Sequence, residues 1–134
     1  WCRSVSAHAS RAELTNRENG LKACLNNHTQ TKAQIRQNCL ANDNLHKKAA
    51  SGDMNFVKKC LNAGVSVNAR EGNQWTPLHS AARNGRINMA KLLISRGALL
   101  NARDVNARTP LDQAHAGNYI SMQNYLRNMG GIRR

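Results

Sequence analysis

The sequence predicts an all-α stack of helix pairs, and three observations carry that expectation. The chain repeats itself at a shift of 33 residues; two copies open with Thr-Pro; and the apolar residues fall at helical spacing with very few aromatics among them. Sliding by 33 places Leu45 on Leu78 on Leu111, Gly52 on Gly85, and Met54 on Ile87 on Ile120. The same shift aligns Phe56, Met89 and Met122, then Gly64, Gly97 and Gly130. A period in this range is the signature of a stacked repeat. Aromatic residues make up only 4% of a chain that is 40% hydrophobic, so burial must rest on Leu, Ile, Val, Met and Ala, a mix suited to packed helices.

Residues 1–43 carry no copy of the repeat. Leu14, Leu21, Cys24 and Leu25 share one helical face, and Ala33, Ile35, Cys39 and Leu40 another, with Thr31 or Thr29 placed to cap the second helix. This reads as a helical hairpin that covers the first repeat with Leu21, Leu25, Ile35 and Leu40, after a loosely held lead-in over 1–10. Residues 44–134 form the stack, with copies at about 43–70, 71–103 and 104–131.

In the middle copy, Thr76 supplies a cap and Pro77 opens a helix at a position where its missing N–H costs nothing. Leu78, Ala81 and Ala82 face inward, and Gly85 breaks the helix. A second helix runs from about Ile87 to Ser95 and Gly97 ends it. Asn101 then starts an extended turn toward the next Thr-Pro. The outer copies are altered as ends of a stack should be. In the first, Asp43 and Asn44 stand where Thr-Pro is expected, and Lys48 and Lys59 replace Ala81 and Leu92. In the third, Asn118 replaces Gly85, while Asn124 and Arg127 give the last helix a polar outer face.

These motifs resemble the ankyrin repeat, over residues 44–131. The carriers are Thr76-Pro77-Leu78-His79, its partner Thr109-Pro110-Leu111, the aligned glycines, and Val67-Asn68-Ala69-Arg70 with Leu100-Asn101-Ala102-Arg103. The resemblance implies a solenoid in which each repeat is two antiparallel helices plus a projecting β-turn finger. It also implies that His46 and His79, at one repeat position, hold the neighbouring turn by backbone hydrogen bonds, with Asp112 in that place in the third copy.

The resemblance assigns the concave face formed by the fingers and first helices to binding. The candidate partner-binding residues are Arg70, Asn73, Trp75, Arg83, Asn84, Arg103, Asn106 and Arg108, with Gly72, Val105 and Ala116 on the same face. Tryptophan and arginine are frequent binding hot spots, so Trp75 within a basic rim reads as an anchor. Equally, Trp75 reads as a cover for the repeat beside it.

Twenty Lys and Arg against seven Asp and Glu give a net charge of +13. Such a chain attracts anionic partners. The sequence contains no Ser-His-Asp order, His-Glu-x-x-His motif, phosphate loop or nucleophile elbow, and few carboxylates for acid-base work, so an enzyme is not expected. Nor is a cofactor. The expected partner is an acidic protein. Small exported bacterial ankyrin proteins include immunity proteins against secreted toxins, some of them phospholipases, and the resemblance extends to these; the alternative is salt-dependent binding of nucleic acid, anionic lipid or glycan. The free protein is expected to be a monomer.

Four cysteines stand at 2, 24, 39 and 60. Cys24 and Cys39, 15 positions apart, would face each other across an antiparallel hairpin, and a disulfide there would staple it. Cys60 sits at the position of Leu93 and reads as core, or as the partner of Cys2. Reduced thiols are the other reading. A disulfide favours an oxidising compartment, periplasmic or secreted, over the cytoplasm. No stretch approaches the about 18 apolar residues of a transmembrane helix. The start at Trp1 reads as a trimmed product whose signal peptide is gone.

Overall fold

The computed structural model describes residues 30–133, and these form seven α-helices. Helix α1 (Lys32–Leu40) leads through a 3₁₀ turn (Ala41–Asp43) into α2 (Asn44–Ser51) and α3 (Met54–Asn62). The second pair is α4 (Pro77–Arg83) and α5 (Ile87–Ser95), and the third is α6 (Pro110–Ala116) and α7 (Ile120–Asn128). No strand occurs among the described residues.

Local chemistry places the helix starts where the motifs predict. Thr31 caps α1 by accepting from the Gln34 N–H, and the Gln34 side chain accepts from the Thr31 N–H in return. Thr76 and Thr109 cap α4 and α6 in the same reciprocal way, with His79 and Asp112 as the returning side chains. Each satisfies N–H groups that the first helical turn leaves without intrahelical partners. Gly52, Gly85 and Asn118 occupy one repeat position between paired helices, and all adopt the left-handed conformation, with φ of 85°, 67° and 60°. Asn is among the residues that enter this region most readily, which explains its use in place of glycine.

The core runs through the stack as one cluster. Leu45, Leu78 and Leu111 are buried in register, as are Ala49 with Ala82 and, one position earlier, Ala81 with Ala114, with Val57, Met89, Leu93, Met122 and Leu126 from the second helices. Helices α2, α4 and α6 stack on one another, the small alanines allowing close approach. Polar side chains lock the repeats together at their turns. Asn68 Oδ1 accepts from Leu99 N (2.8 Å), and Asn101 Oδ1 accepts from Ile132 N (2.9 Å) one repeat later. That is the physical use of the recurring Asn-Ala-Arg motif. Asn124 and Arg127 are exposed, as a terminal helix requires.

Helix α1 packs against α2 and α3, with Ile35 against the core. Two expectations at this end are corrected. Leu40 is 57% exposed because the chain turns away through the 3₁₀ segment immediately after it. Cys39 is bonded to Cys60, with Cα atoms 5.9 Å apart, so it does not pair with Cys24, and Cys60 does not pair with Cys2. The reason is packing: α1 lies across α3, and both sulfurs are buried in the contact. Cys2, Cys24, Leu14, Leu21, Leu25 and the first helix of the expected hairpin lie outside the described residues.

Candidate functional site

The fingers between helix pairs are organised from within. In the second finger, Asp104 is 7% exposed and anchors the turn: Oδ1 accepts from Asn106 N (2.8 Å) and Arg108 N (2.9 Å). Its other oxygen accepts from Trp75 Nε1 (3.1 Å) and Gln113 Nε2 (3.0 Å). Burial would raise the Asp104 pKa, but donation from the Arg108 and Asn106 N–H groups and the Trp75 indole outweighs it, holding the carboxylate below its ordinary value. One ionised side chain thus ties the finger to the preceding tryptophan and to α6.

Adjacent fingers are joined by backbone and by arginine. Val105 N donates to Asn73 O (3.0 Å), and the Arg70 guanidinium donates to Gln74 O (2.8 Å) and Arg103 O (2.7 Å). Arg103 does the same within its own finger, reaching Ala107 O at 3.3 Å. The finger tips turn through Gln74 and Ala107, at φ of 60° and 59°.

The repeated histidines hold the turns. Thr76 N donates to His79 Nδ1 (3.1 Å), while Nε2 donates to Arg108 O (3.0 Å). Carbonyl oxygens only accept, so the proton is on Nε2. Burial pushes the His79 pKa down, and the ring is neutral. His46 Nε2 likewise donates to Ala69 O (2.9 Å) and Trp75 O (3.0 Å).

The eight residues assigned to binding therefore divide. Trp75 is half-buried, its indole N–H is taken by Asp104, and its ring stacks on His79 with centroids 6.3 Å apart. Arg70 and Arg103 brace carbonyls, and exposed Asn84 donates to Ser80 O (2.8 Å). Asn73 lends its carbonyl to Val105, and exposed Asn106 has its N–H on Asp104. The guanidinium groups of Arg83 and Arg108 are exposed and make no hydrogen bond or ion pair among the described residues.

Beside Arg108 lies a shallow cleft of about 330 Å³ lined by Arg108, Asp112, His115, Ala116 and Arg133. Within it, Arg133 Nε meets Asp112 Oδ1 at 3.3 Å. Sequence reasoning missed Arg133 and Asp104. Asp104 has a signal in hindsight, being 33 positions beyond Glu71, the matching acid of the previous finger.

Comparison with known proteins agrees with this geometry. Residues 45–94 match the family model described as ankyrin repeats in many copies. The solved ankyrin repeat domain of human ASB11 aligns with a TM-score of 0.61 and 33% identity, over 66% of this chain. The chain spans about 40% of the length of that structure. Among curated proteins, none matches the chain. Ankyrin repeats are protein-interaction modules and typically non-catalytic, and no helix among the described residues is long and apolar enough to cross a membrane. Two helix pairs capped by Thr-Pro, a finger braced by a buried acid, and histidines tied to the next turn make this an ankyrin-repeat chain.

Proposed function

We propose that the stack is a non-catalytic binding module that receives an acidic segment of a partner protein on its fingers and first helices. The supporting observation is the pair of exposed, unbonded guanidinium groups of Arg83 and Arg108, on a first helix and a finger respectively. Exposed Lys47 on α2 adds to them, and the two ion pairs found among the described residues use neither arginine. Arginines held on braced elements bind carboxylates with little ordering cost, because the backbone beneath them is already fixed.

An acidic protein is favoured over single-stranded nucleic acid. Base-stacking platforms need open aromatic faces. Here Trp75 is spent on His79 and Asp104. The specific role we assign is inhibition of an acidic secreted effector in the cell envelope.

The test is affinity capture from the native source, then binding of the recovered partner to the double variant Arg83→Glu/Arg108→Glu. We expect the partner to be acidic and the double variant to bind roughly 100-fold more weakly, about tenfold for each charge reversed. Undiminished binding by that variant excludes this face. Tighter and steeply salt-dependent binding of DNA or heparin by the wild type supports the polyanion reading instead.

A further inference from the structure

The first repeat lacks the cap that the other two possess, and something different stands in its place. Asp43 occupies the position of Thr76 and Thr109 but makes no capping bond, and it sits in the left-handed region at φ 56°. His46 occupies the position of His79. In the second repeat, Nδ1 of the histidine accepts from the threonine N–H and lies 2.9 Å from its Oγ1. In the first repeat, His46 keeps the Nε2 bonds to Ala69 and Trp75 but has no partner at Nδ1 among the described residues.

His46 is only 6% exposed, and because no buried side-chain nitrogen or oxygen among the described residues lacks a hydrogen-bond partner, Nδ1 is the edge of the ring that meets solvent. Carboxylate oxygens of Asp43 and Glu71 and a nitrogen of His46 all lie within 4.8 Å of one another. Neither carboxylate is in an ion pair among the described residues, although the chain has 20 Lys and Arg. Two of the chain's seven acids thus come close together without an ion-pair partner among the described residues.

We propose that Asp43, His46 and Glu71 form a zinc(II) site that closes the uncapped start of the first repeat onto its finger. The chemistry of the donors selects the ion. One imidazole with two carboxylates suits a borderline cation such as zinc better than Mg²⁺, which prefers oxygen ligands alone. Ligation falls to Nδ1, because Nε2 carries the proton donated to the Ala69 and Trp75 carbonyls. This is the arrangement of metal-binding histidines generally, whose second nitrogen donates to a backbone carbonyl and fixes the ring. Zinc bonds of about 2.0–2.2 Å place ligand atoms roughly 3.3 Å apart. Rotation of exposed Asp43 and half-buried Glu71 closes the remaining distance.

The experiment is isothermal titration of the oxidised full chain with zinc chloride and, separately, magnesium chloride, together with thermal unfolding. Oxidised protein is used because the Cys39–Cys60 bond keeps those sulfurs from binding metal. The variants are Asp43→Asn and Glu71→Gln. Asn is well suited to the left-handed backbone at position 43, so D43N removes the charge without disturbing the turn. His46 is left intact because it also holds the finger.

We expect one zinc per chain, a Tm raised by roughly 5–15 °C at a hundredfold excess over Kd, and affinity at least about tenfold weaker in each variant. Magnesium is expected to leave Tm unchanged. Absence of zinc binding by the wild type overturns the site, as does zinc binding of equal stoichiometry and affinity in both variants, which places the ion elsewhere. A magnesium shift equal to that of zinc overturns the choice of ion.

Discussion

Trp75 donates its indole N–H to Asp104 across 29 positions, at 3.1 Å, and so links the start of one repeat to the finger of the next. The same carboxylate holds two finger N–H groups and the Gln113 amide. Removing it strands one buried donor, the Gln113 amide, and three half-buried ones at once, and each such group costs about 1–3 kcal/mol, partly relieved by water at the finger. Asp104→Ala should therefore lower stability by about 3 kcal/mol in urea unfolding. Trp75→Phe removes one bond while keeping most of the stacking area, and should cost about 1 kcal/mol. If Asp104→Ala proved as mild as Trp75→Phe, the finger would not depend on that carboxylate.

Acid should weaken the fold in two steps. His79 has a folded pKa below its ordinary 6.5 because burial disfavours the charged ring. The unfolded chain then takes up its proton first, so this stability is intact above pH 6.5 and is lost as pH falls below it, at up to about 1.4 kcal/mol per pH unit. Asp104 behaves as an acid with a depressed pKa: its contribution is present above the ordinary 3.8 and disappears as pH falls through the lower folded value. Urea midpoints at pH 7.5, 5.5 and 3.5 should show both losses. His79→Gln should be less stable overall and lack the upper step.

What was legible in the sequence was local. Thr-Pro names a helix start because the proline at positions 77 and 110 fixes its own backbone angle, and both helices begin there. Asn118 was readable as a substitute for glycine on the same grounds. The Asn-Ala-Arg motif announced a repeated role without showing that Asn68 and Asn101 bridge to the following turn. Pairings across elements were not legible. The cysteine spacing suggested a hairpin staple from Cys24 to Cys39, whereas the bond depends on how α1 lies across α3. The role of Trp75 was undecidable for the same reason, since its partners, Asp104 and His79, meet it only in the folded stack. Of the basic residues, position alone did not distinguish Arg70, which braces carbonyls, from Arg83, whose charge is open.

Repeats must approach closely at the end of α6. A Cβ built on Gly117 would lie 2.6 Å from the Arg83 carbonyl oxygen, a backbone atom that cannot swing aside. Gly117→Ala should force the third repeat away from the second and cost about 1–3 kcal/mol. Gly72 provides the control, because a Cβ there meets nothing within 4 Å. Gly72→Ala should be neutral or stabilising by up to about 1 kcal/mol, since alanine loses less chain entropy on folding. Equal losses for the two variants in thermal unfolding would remove close approach as the reason for glycine at 117.

The Cys39–Cys60 bond closes a loop with a sequence separation of 21 and joins α1 to the first repeat. By the chain-entropy argument, a loop of this size restricts the unfolded chain by about 3 kcal/mol. The stabilisation should be felt at one end, because repeats in a stack contact only their neighbours. Reduction, or Cys39→Ser with Cys60→Ser, should therefore speed amide hydrogen exchange in α1 and α2 far more than in α6. Both sulfurs are buried, so the serine hydroxyls would add a desolvation cost that reduction with the native thiols avoids. Reduced wild type should accordingly be more stable than the double serine variant, and both less stable than the oxidised protein. An unchanged exchange pattern in α1 on reduction would show that helix packing alone holds it to the stack.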